Sequence, residues 1–130
     1  MSRSKNKEAF LDLDKITIIG GMGFIGSQLA AKLSKFCKKI VILTRNKSSN
    51  SGITVLPNLE IIQVDINDER ILKEYTKGSD ILINLVGILN EFDKINTFKL
   101  IHYDLVKKIS NAIQANKIKR FLHISSLNAN

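Results

Sequence analysis

Residues 16–30 read ITIIGGMGFIGSQLA, a short apolar run followed by glycines and then by a helix-forming pattern. The glycines recur as G-x-x-G-x-x-G at Gly20, Gly23 and Gly26. A strand, a tight turn and a helix start in this order form the first unit of a dinucleotide-binding fold. Backbone amides at the helix start attract a pyrophosphate, and glycines let it approach the backbone. The segment therefore predicts a site for a dinucleotide.

Length and composition indicate one globular domain. The 130 residues suffice for one hydrophobic core and are too few for two domains. No apolar run reaches the roughly 20 residues that span a bilayer, so we predict no transmembrane segment. The first residues lack the apolar core of a secretory signal, and we interpret 1–14 as a flexible tail before a domain at 15–130. The single Cys37 fits a reducing compartment, which predicts a cytoplasmic protein.

The basic charge is unevenly distributed along the chain. The formal net charge is +8, from 20 Lys and Arg against 12 Asp and Glu, and no acid occurs between Gly20 and Leu59. Such a balance suits a phosphorylated ligand, a membrane surface or a nucleic acid. The chain has no Trp and no interleaving of aromatic with basic residues, so we predict no nucleic-acid partner. Most of the lysines are interpreted as a solvated surface.

Apolar runs alternate with helical patterns, which is typical of an α/β fold. We predict strands at 15–19, 39–43, 59–64, 81–85 and 120–124, and helices at 24–36, 69–75 and 95–116. The short β-branched strands predict a doubly wound parallel sheet, buried on both faces, in the order 3-2-1-4-5. The dinucleotide is then expected at the carboxyl ends of strands one and four.

The residue after strand two bears on the choice of cofactor. Many NAD-binding proteins place Asp or Glu there, to bind the ribose 2′-hydroxyl. This chain has Arg45 in that place and no carboxylate nearby. A guanidinium grips a phosphate with two parallel hydrogen bonds, so the sequence favours NADP(H) over NAD(H). The alternative is an arginine that is simply exposed to solvent.

Further candidates follow strands three, four and five. Asp65 is placed to accept from an adenine amino group beside Ile66, or else to cap the next turn. Gly87, in the N-L-V-G segment at 84–87, would let the backbone pass close to a ribose. His102 and His123 are interpreted as structural, and no cluster has the spacing of metal ligands. Ser126 lies at the rim of the sheet, where chemistry or capping are both open to it.

With these motifs in view, the chain resembles the extended and atypical short-chain dehydrogenase/reductases. The resemblance rests on the glycine turn, D-I at 65–66, N-L-V-G at 84–87 and K-R-F-L-H-I-S-S at 119–126. I-N-L-V-G-I-L-N-E at 83–91 and I-H-Y-D at 101–104 look most like the branch containing the NADPH-binding accessory subunit of respiratory complex I. That branch implies a respiratory-complex partner and a peripheral position at the inner membrane as further expectations.

The resemblance implies a role for each matched residue. The pyrophosphate would be held by Gly20, Met22, Gly23, Phe24, Ile25 and Gly26, the 2′-phosphate by Arg45, the adenine by Asp65 and Ile66, and the ribose by Leu85, Val86 and Gly87. Ser126 falls where catalytic members keep a serine that polarises the substrate. Catalytic members also carry Tyr-x-x-x-Lys on the helix after strand five, and this sequence ends at Asn130, before that helix. We therefore expect a truncated chain, inactive alone.

Three hypotheses about function remain at this point. The chain is the cofactor domain of an atypical reductase, non-catalytic within a respiratory complex, or the cofactor half of a sugar-nucleotide epimerase, dehydratase or reductase. The third hypothesis is a scaffold that senses NADP(H) without turnover. In each case we expect self-association, through the apolar stripe of the helix at 95–116 or through the open edge of strand five.

Overall fold

The computed structural model describes residues 13–20, 24–45, 56–86 and 95–124, without the side chains of 24, 25 and 95–102. Five parallel strands form one sheet in the order β3-β2-β1-β4-β5, which confirms the predicted doubly wound topology. The strands are β1 (Leu13–Ile19), β2 (Cys37–Thr44), β3 (Leu59–Gln63), β4 (Ile81–Asn84) and β5 (Arg120–His123). The helices are α1 (Phe24–Leu33), α2 (Glu69–Tyr75) and α3 (Ile95–Asn116).

Side chains alternate between two apolar layers, one on each face of the sheet. Ile16, Ile18, Ile40, Ile42 and Ile83 pack with Ala30 of α1 on one face. Ile19, Val41, Leu43 and Leu82 pack with Leu72 of α2 and with Leu105 and Ile109 of α3 on the other. Burial of each such side chain contributes roughly 1.5–3 kcal/mol, so these layers are the main source of stability. The middle of the predicted α3 stripe therefore belongs to the core and is not an association surface.

Seven element boundaries differ from the predicted ones, by one to three residues, and two of these differences follow from polar contacts. β1 begins at Leu13, inside the segment assigned to the tail, because Leu13 pairs with Cys37 and the Asp80 carboxylate accepts the N–H groups of Asp14 and Lys15 at 2.7 and 3.2 Å. α1 ends three residues before the predicted end. There the Ser34 hydroxyl donates to the carbonyl of Ala31 at 2.8 Å, and the chain turns into β2.

The amino edge of the sheet, where the strands begin, is held by polar contacts. The Lys15 ammonium donates to the carbonyls of Tyr75 and Lys77, at 2.7 and 3.0 Å, just after α2. Burial, helped by the charge of Lys39, lowers the pKa of the Lys15 side chain. The hydroxyls of Thr17 and Ser79 form a buried hydrogen bond of 2.6 Å. Burial also raises the pKa of the Cys37 thiol, so this cysteine has little thiolate character.

Helices α2 and α3 contact each other through polar side chains above the second apolar layer. The Asp68 carboxylate caps α2 by accepting the N–H of Arg70 at 2.9 Å. The amide of Asn111 donates to the Glu69 carboxylate at 2.9 Å. This hydrogen bond, with that from Lys73, lowers the pKa of the Glu69 carboxyl.

Candidate functional site

The candidate site lies at the carboxyl edge of the sheet, between β1 and β4. These strands are hydrogen-bonded neighbours, with Ile19 opposite Asn84, although they are far apart in sequence. The chain leaves β1 toward α1 on one face, and it leaves β4 toward α3 on the other. In open parallel sheets this point, where the strand order reverses, is where ligands bind.

Gly20 follows β1 and starts the turn toward α1. Its φ of +79° is favourable only for glycine, and its N–H donates to the carbonyl of Leu43 at 2.7 Å. A Cβ atom at this position would lie 2.7 Å from Cγ2 of Val86 and 3.3 Å from the Val86 backbone nitrogen. The first glycine of the motif is therefore required by both the backbone conformation and the close approach of the segment after β4.

Helix α1 points its N-terminus at the same edge. Its first turn contains no acidic residue, so no side-chain carboxylate in that turn opposes an anion there. Gly26 is buried within the helix. Met22 and Gly23 lie outside the described residues, and Phe24 and Ile25 are described only as the start of α1. Binding of a pyrophosphate by this turn stays a prediction.

An open cleft of about 370 Å³ lies at the ends of β2 and β3. Arg45, Gln63, Val64 and Asp65 line it, and the N–H of Val64 donates to the carbonyl of Thr44 at 2.9 Å, which holds the two strand ends together. Arg45 is exposed, and its guanidinium forms no ion pair with the described residues. The cleft therefore brings together two residues that the sequence analysis selected independently, Arg45 and Asp65.

The two residues of the D-I pair occupy different surroundings. Asp65 is exposed in the cleft, and its Oδ1 accepts the N–H of Asn67 at 3.0 Å, so it does cap the turn before α2. A carboxylate has a second oxygen, which keeps the predicted adenine contact compatible with the cap. Ile66 is only 3% exposed and packs in the second apolar layer. Its contact with an adenine stays a prediction.

The end of β4 contains a buried polar residue that the sequence does not single out as a site residue. Leu85 is buried and Val86 is half-buried, while Gly87 lies outside the described residues. Asn84 is fully buried, with its amide nitrogen 3.0 Å from Nδ1 of His123 and its amide oxygen accepting the N–H of Val86 at 3.1 Å. The signal for this network is an amide at the end of the otherwise apolar strand I-L-I-N, because a buried amide needs partners.

The remaining candidates stay predictions. Ser126 and the side chain of His102 lie outside the described residues. Within the described ranges, no three His, Cys, Asp or Glu residues are grouped as metal ligands. No helix in the described part of the chain is long and apolar enough to cross a membrane.

Known proteins are similar to this chain in sequence and in fold. The 40 kDa subunit of mitochondrial NADH-ubiquinone oxidoreductase from Neurospora crassa is 26% identical over 117 residues, which are 87% of this chain and 31% of that subunit. UDP-glucose 4-epimerase from Neisseria meningitidis serogroup B is 35% identical over 86 residues, which are 58% of this chain and 25% of that enzyme. The chain thus spans about a third of the length, or less, of these curated relatives.

A solved structure and a family profile extend the match. An epimerase from the methanogen Methanothermobacter thermautotrophicus superposes with a TM-score of 0.75 at 25% identity, over 92% of this chain and 37% of that one. The profile of the NAD dependent epimerase/dehydratase family matches residues 16–129, which include the glycine turn, the cleft and all five strands from Ile16 onward. The chain therefore belongs to the NAD dependent epimerase/dehydratase family.

Proposed function

We propose that this chain is the cofactor-binding domain of an atypical short-chain dehydrogenase/reductase and that it prefers NADP(H) to NAD(H). Exposed Arg45, in the cleft after β2 where many NAD-binding proteins place a carboxylate, is the observation that carries the preference. A 2′-phosphate there would receive two charged hydrogen bonds from the guanidinium. Bound nicotinamide would supply hydride chemistry, while this chain binds and orients the dinucleotide.

The other contacts follow the cleft and the switch point. In this proposal the pyrophosphate lies on Gly20, Met22, Gly23, Phe24, Ile25 and Gly26, the adenine beside Asp65 and Ile66, and the ribose beside Leu85, Val86 and Gly87. Two observations support these contacts. Gly20 packs against Val86 and carries no side chain, so the backbone at the turn is uncovered there. The first turn of α1 contains no acidic residue that would repel a phosphate. The region predicted as 15–130, which begins with β1 at Leu13, acts as one domain, and Ser126 is its candidate catalytic group.

The decisive experiment is a calorimetric titration of the chain with NADPH and with NADH. We expect NADPH to bind more tightly, and Arg45→Ala to weaken NADPH roughly tenfold or more while leaving NADH nearly unchanged, since a charged hydrogen bond is worth about 1.5–3 kcal/mol. Arg120→Ala removes the same charge at the opposite edge of the sheet and should change neither affinity. Equal affinities, or an NADH preference that Arg45→Ala does not alter, would refute the arginine argument.

The activity of the whole protein is the second part of the proposal. The respiratory subunit aligns over more of this chain than the sugar epimerase does, 87% against 58%, which favours a binding role within a respiratory complex, peripheral to the inner membrane. The cofactor half of a sugar-nucleotide epimerase is the second candidate, because the aligned residues of the UDP-glucose 4-epimerase are 35% identical to this chain, against 26% for the respiratory subunit. Conversion of UDP-glucose to its 4-epimer by the whole protein, measured by chromatography, would favour the enzyme over the structural or sensing role. The assay follows the sugar because epimerisation leaves the cofactor with no net change of oxidation state.

We also infer self-association through β5. This strand is an edge of the described sheet, with Leu122 and Ile124 exposed to 53% and 37%, and edge strands pair readily. Leu122→Lys should lower the association constant in sedimentation equilibrium, whereas Tyr103→Lys, on the exposed face of α3, should leave it unchanged. A wild-type monomer at high concentration would contradict this inference.

A further inference from the structure

One buried amide joins the two strands at the switch point to the turn that follows them. Asn84 has no exposed surface, and its amide nitrogen, its amide oxygen and its backbone carbonyl all have partners. Its Nδ2 lies 3.0 Å from Nδ1 of His123, its Oδ1 accepts the N–H of Val86 at 3.1 Å, and its carbonyl accepts the N–H of Ile124 at 3.0 Å. The side chain therefore links β4, β5 and the segment after β4.

The orientation of this amide follows from its partners. The N–H of Val86 can only donate, so the amide oxygen faces it and Nδ2 faces His123. Because Nδ2 also only donates, Nδ1 of His123 must accept, which requires an imidazole without a proton on Nδ1. A proton there would set two donors 3.0 Å apart. The amide cannot turn over to relieve this, because Nδ2 would then face the N–H of Val86.

The turn held by Asn84 is the one against which Gly20 packs. A Cβ on Gly20 would lie 3.3 Å from both the nitrogen and the Cα of Val86, so the two backbones are in close contact. A shift of Val86 would therefore move the first glycine of the proposed dinucleotide site or open a gap beside it. Packed contacts of this kind transmit small displacements, because there is no free volume to absorb them.

We propose that Asn84 is a positioning residue for the dinucleotide site and that it acts only while His123 accepts its hydrogen bond. This inference deepens the proposed function and rests on it. When His123 gains a second proton, the bond from Asn84 is lost, the turn at Val86 loosens and the affinity for the dinucleotide falls. The chain would thus bind its cofactor more weakly in acid than at neutral pH.

Charged groups also lie on the elements beside this network, and the side chain of the second histidine, His102 on α3, lies outside the described residues. β4 has no titratable side chain, and β5 has only Arg120 besides His123, at its other end. On α3, which covers the same face of the sheet, Lys108 pairs with Asp104 at 2.8 Å and donates to the carbonyl of Asn67 at 2.6 Å. Histidine is the side chain that ordinarily titrates between pH 5 and 8.

The test compares wild-type protein with His123→Asn between pH 8 and 5.5. The asparagine offers Oδ1 on the same Cγ position as Nδ1 and does not titrate, so it should keep the bond at every pH. We expect the NADPH affinity of the wild type to fall by roughly fivefold more than that of His123→Asn, the worth of one hydrogen bond. An equal change in both proteins, which would report titration of the ligand alone, overturns the proposal.

Amide hydrogen exchange without ligand separates this proposal from the proposed function. The Val86 amide should exchange faster in wild type than in His123→Asn at pH 5.5 and equally at pH 8. Asn84→Asp is the second variant. Its carboxylate can accept a hydrogen bond from a protonated Nδ1 of His123, so Val86 should be better protected at pH 5.5 than in wild type. If no dinucleotide binds but exchange follows this pattern, the proposed function fails, while the control of the Val86 turn by Asn84 and His123 stands. Equal protection of Val86 in all three proteins overturns that control.

Discussion

The two edges of the sheet use polar residues in opposite ways. At the amino edge, polar groups bind each other: the Asp80 carboxylate accepts backbone N–H groups of β1, and the Lys15 ammonium donates to carbonyls after α2. At the carboxyl edge, Arg45 and Asp65 are exposed in an open cleft, and Gly20 presents no side chain. The amino edge is held together by these contacts, whereas the carboxyl edge leaves charged side chains exposed.

The two edges also contain a matched pair of glycines. Gly20 and Gly78 both have positive φ, of +79° and +77°, so an L-residue is strained at either position. A Cβ on Gly20 would strike Val86, whereas a Cβ on Gly78 meets nothing within 4 Å. Substituting alanine at each position and comparing the losses of stability therefore separates the cost of close packing at the carboxyl edge from the cost of the backbone conformation.

The largest expected effect comes from Gly20→Ala. Positive φ costs an alanine roughly 1–2 kcal/mol, and overpacking against Val86 adds about 1–3 kcal/mol, so the free energy of unfolding should fall by about 2–5 kcal/mol. Dinucleotide binding should be lost with it. Urea denaturation followed by circular dichroism measures the first effect, and calorimetry measures the second.

Gly78→Ala is the control for this substitution. It should lower the free energy of unfolding by only about 1–2 kcal/mol, from the backbone term alone, and leave cofactor affinity unchanged. Equal losses of stability in the two variants would mean that the contact between Gly20 and Val86 costs nothing, and that the two edges are packed alike.

The second expected effect tests the amino edge. Ser79→Ala leaves the hydroxyl of buried Thr17 without its 2.6 Å partner, which should cost about 1–3 kcal/mol of unfolding free energy. The double variant Thr17→Val with Ser79→Ala removes both hydroxyls and should recover much of that loss. Neither variant should change dinucleotide affinity; a tenfold change would show that the two edges are energetically coupled.

The same comparison explains what the sequence could predict. The glycine turn and the β-branched runs are local signals, and they predicted all five strands and their order. They also located Arg45 and Asp65 after strands two and three, while the binding role of either residue stays a prediction. The start of β1 depends on Asp80, which lies 66 residues from the Asp14 amide that it binds. The Asn84–His123 pair spans 39 residues. Contacts at such separations follow from the strand order, so no local pattern reveals them.

The smallest expected effect concerns the N-terminus of α2, on the carboxyl side of the sheet. The amide of Asn111 and the ammonium of Lys73 hold the pKa of the Glu69 carboxyl below its ordinary value. A carboxyl with a lowered folded pKa contributes stability above its unfolded pKa, near 4.3, and that contribution is lost as pH falls through the folded pKa. Glu69→Gln should therefore lower the urea midpoint slightly at pH 7 and not at pH 3.

Glu74→Gln removes the same charge from the exposed face of α2, and it should show no such pH-dependent difference. A Glu69→Gln effect that persists at pH 3 would mean that the carboxyl acts through packing, and that its contacts with Asn111 and Lys73 add nothing electrostatic to this edge.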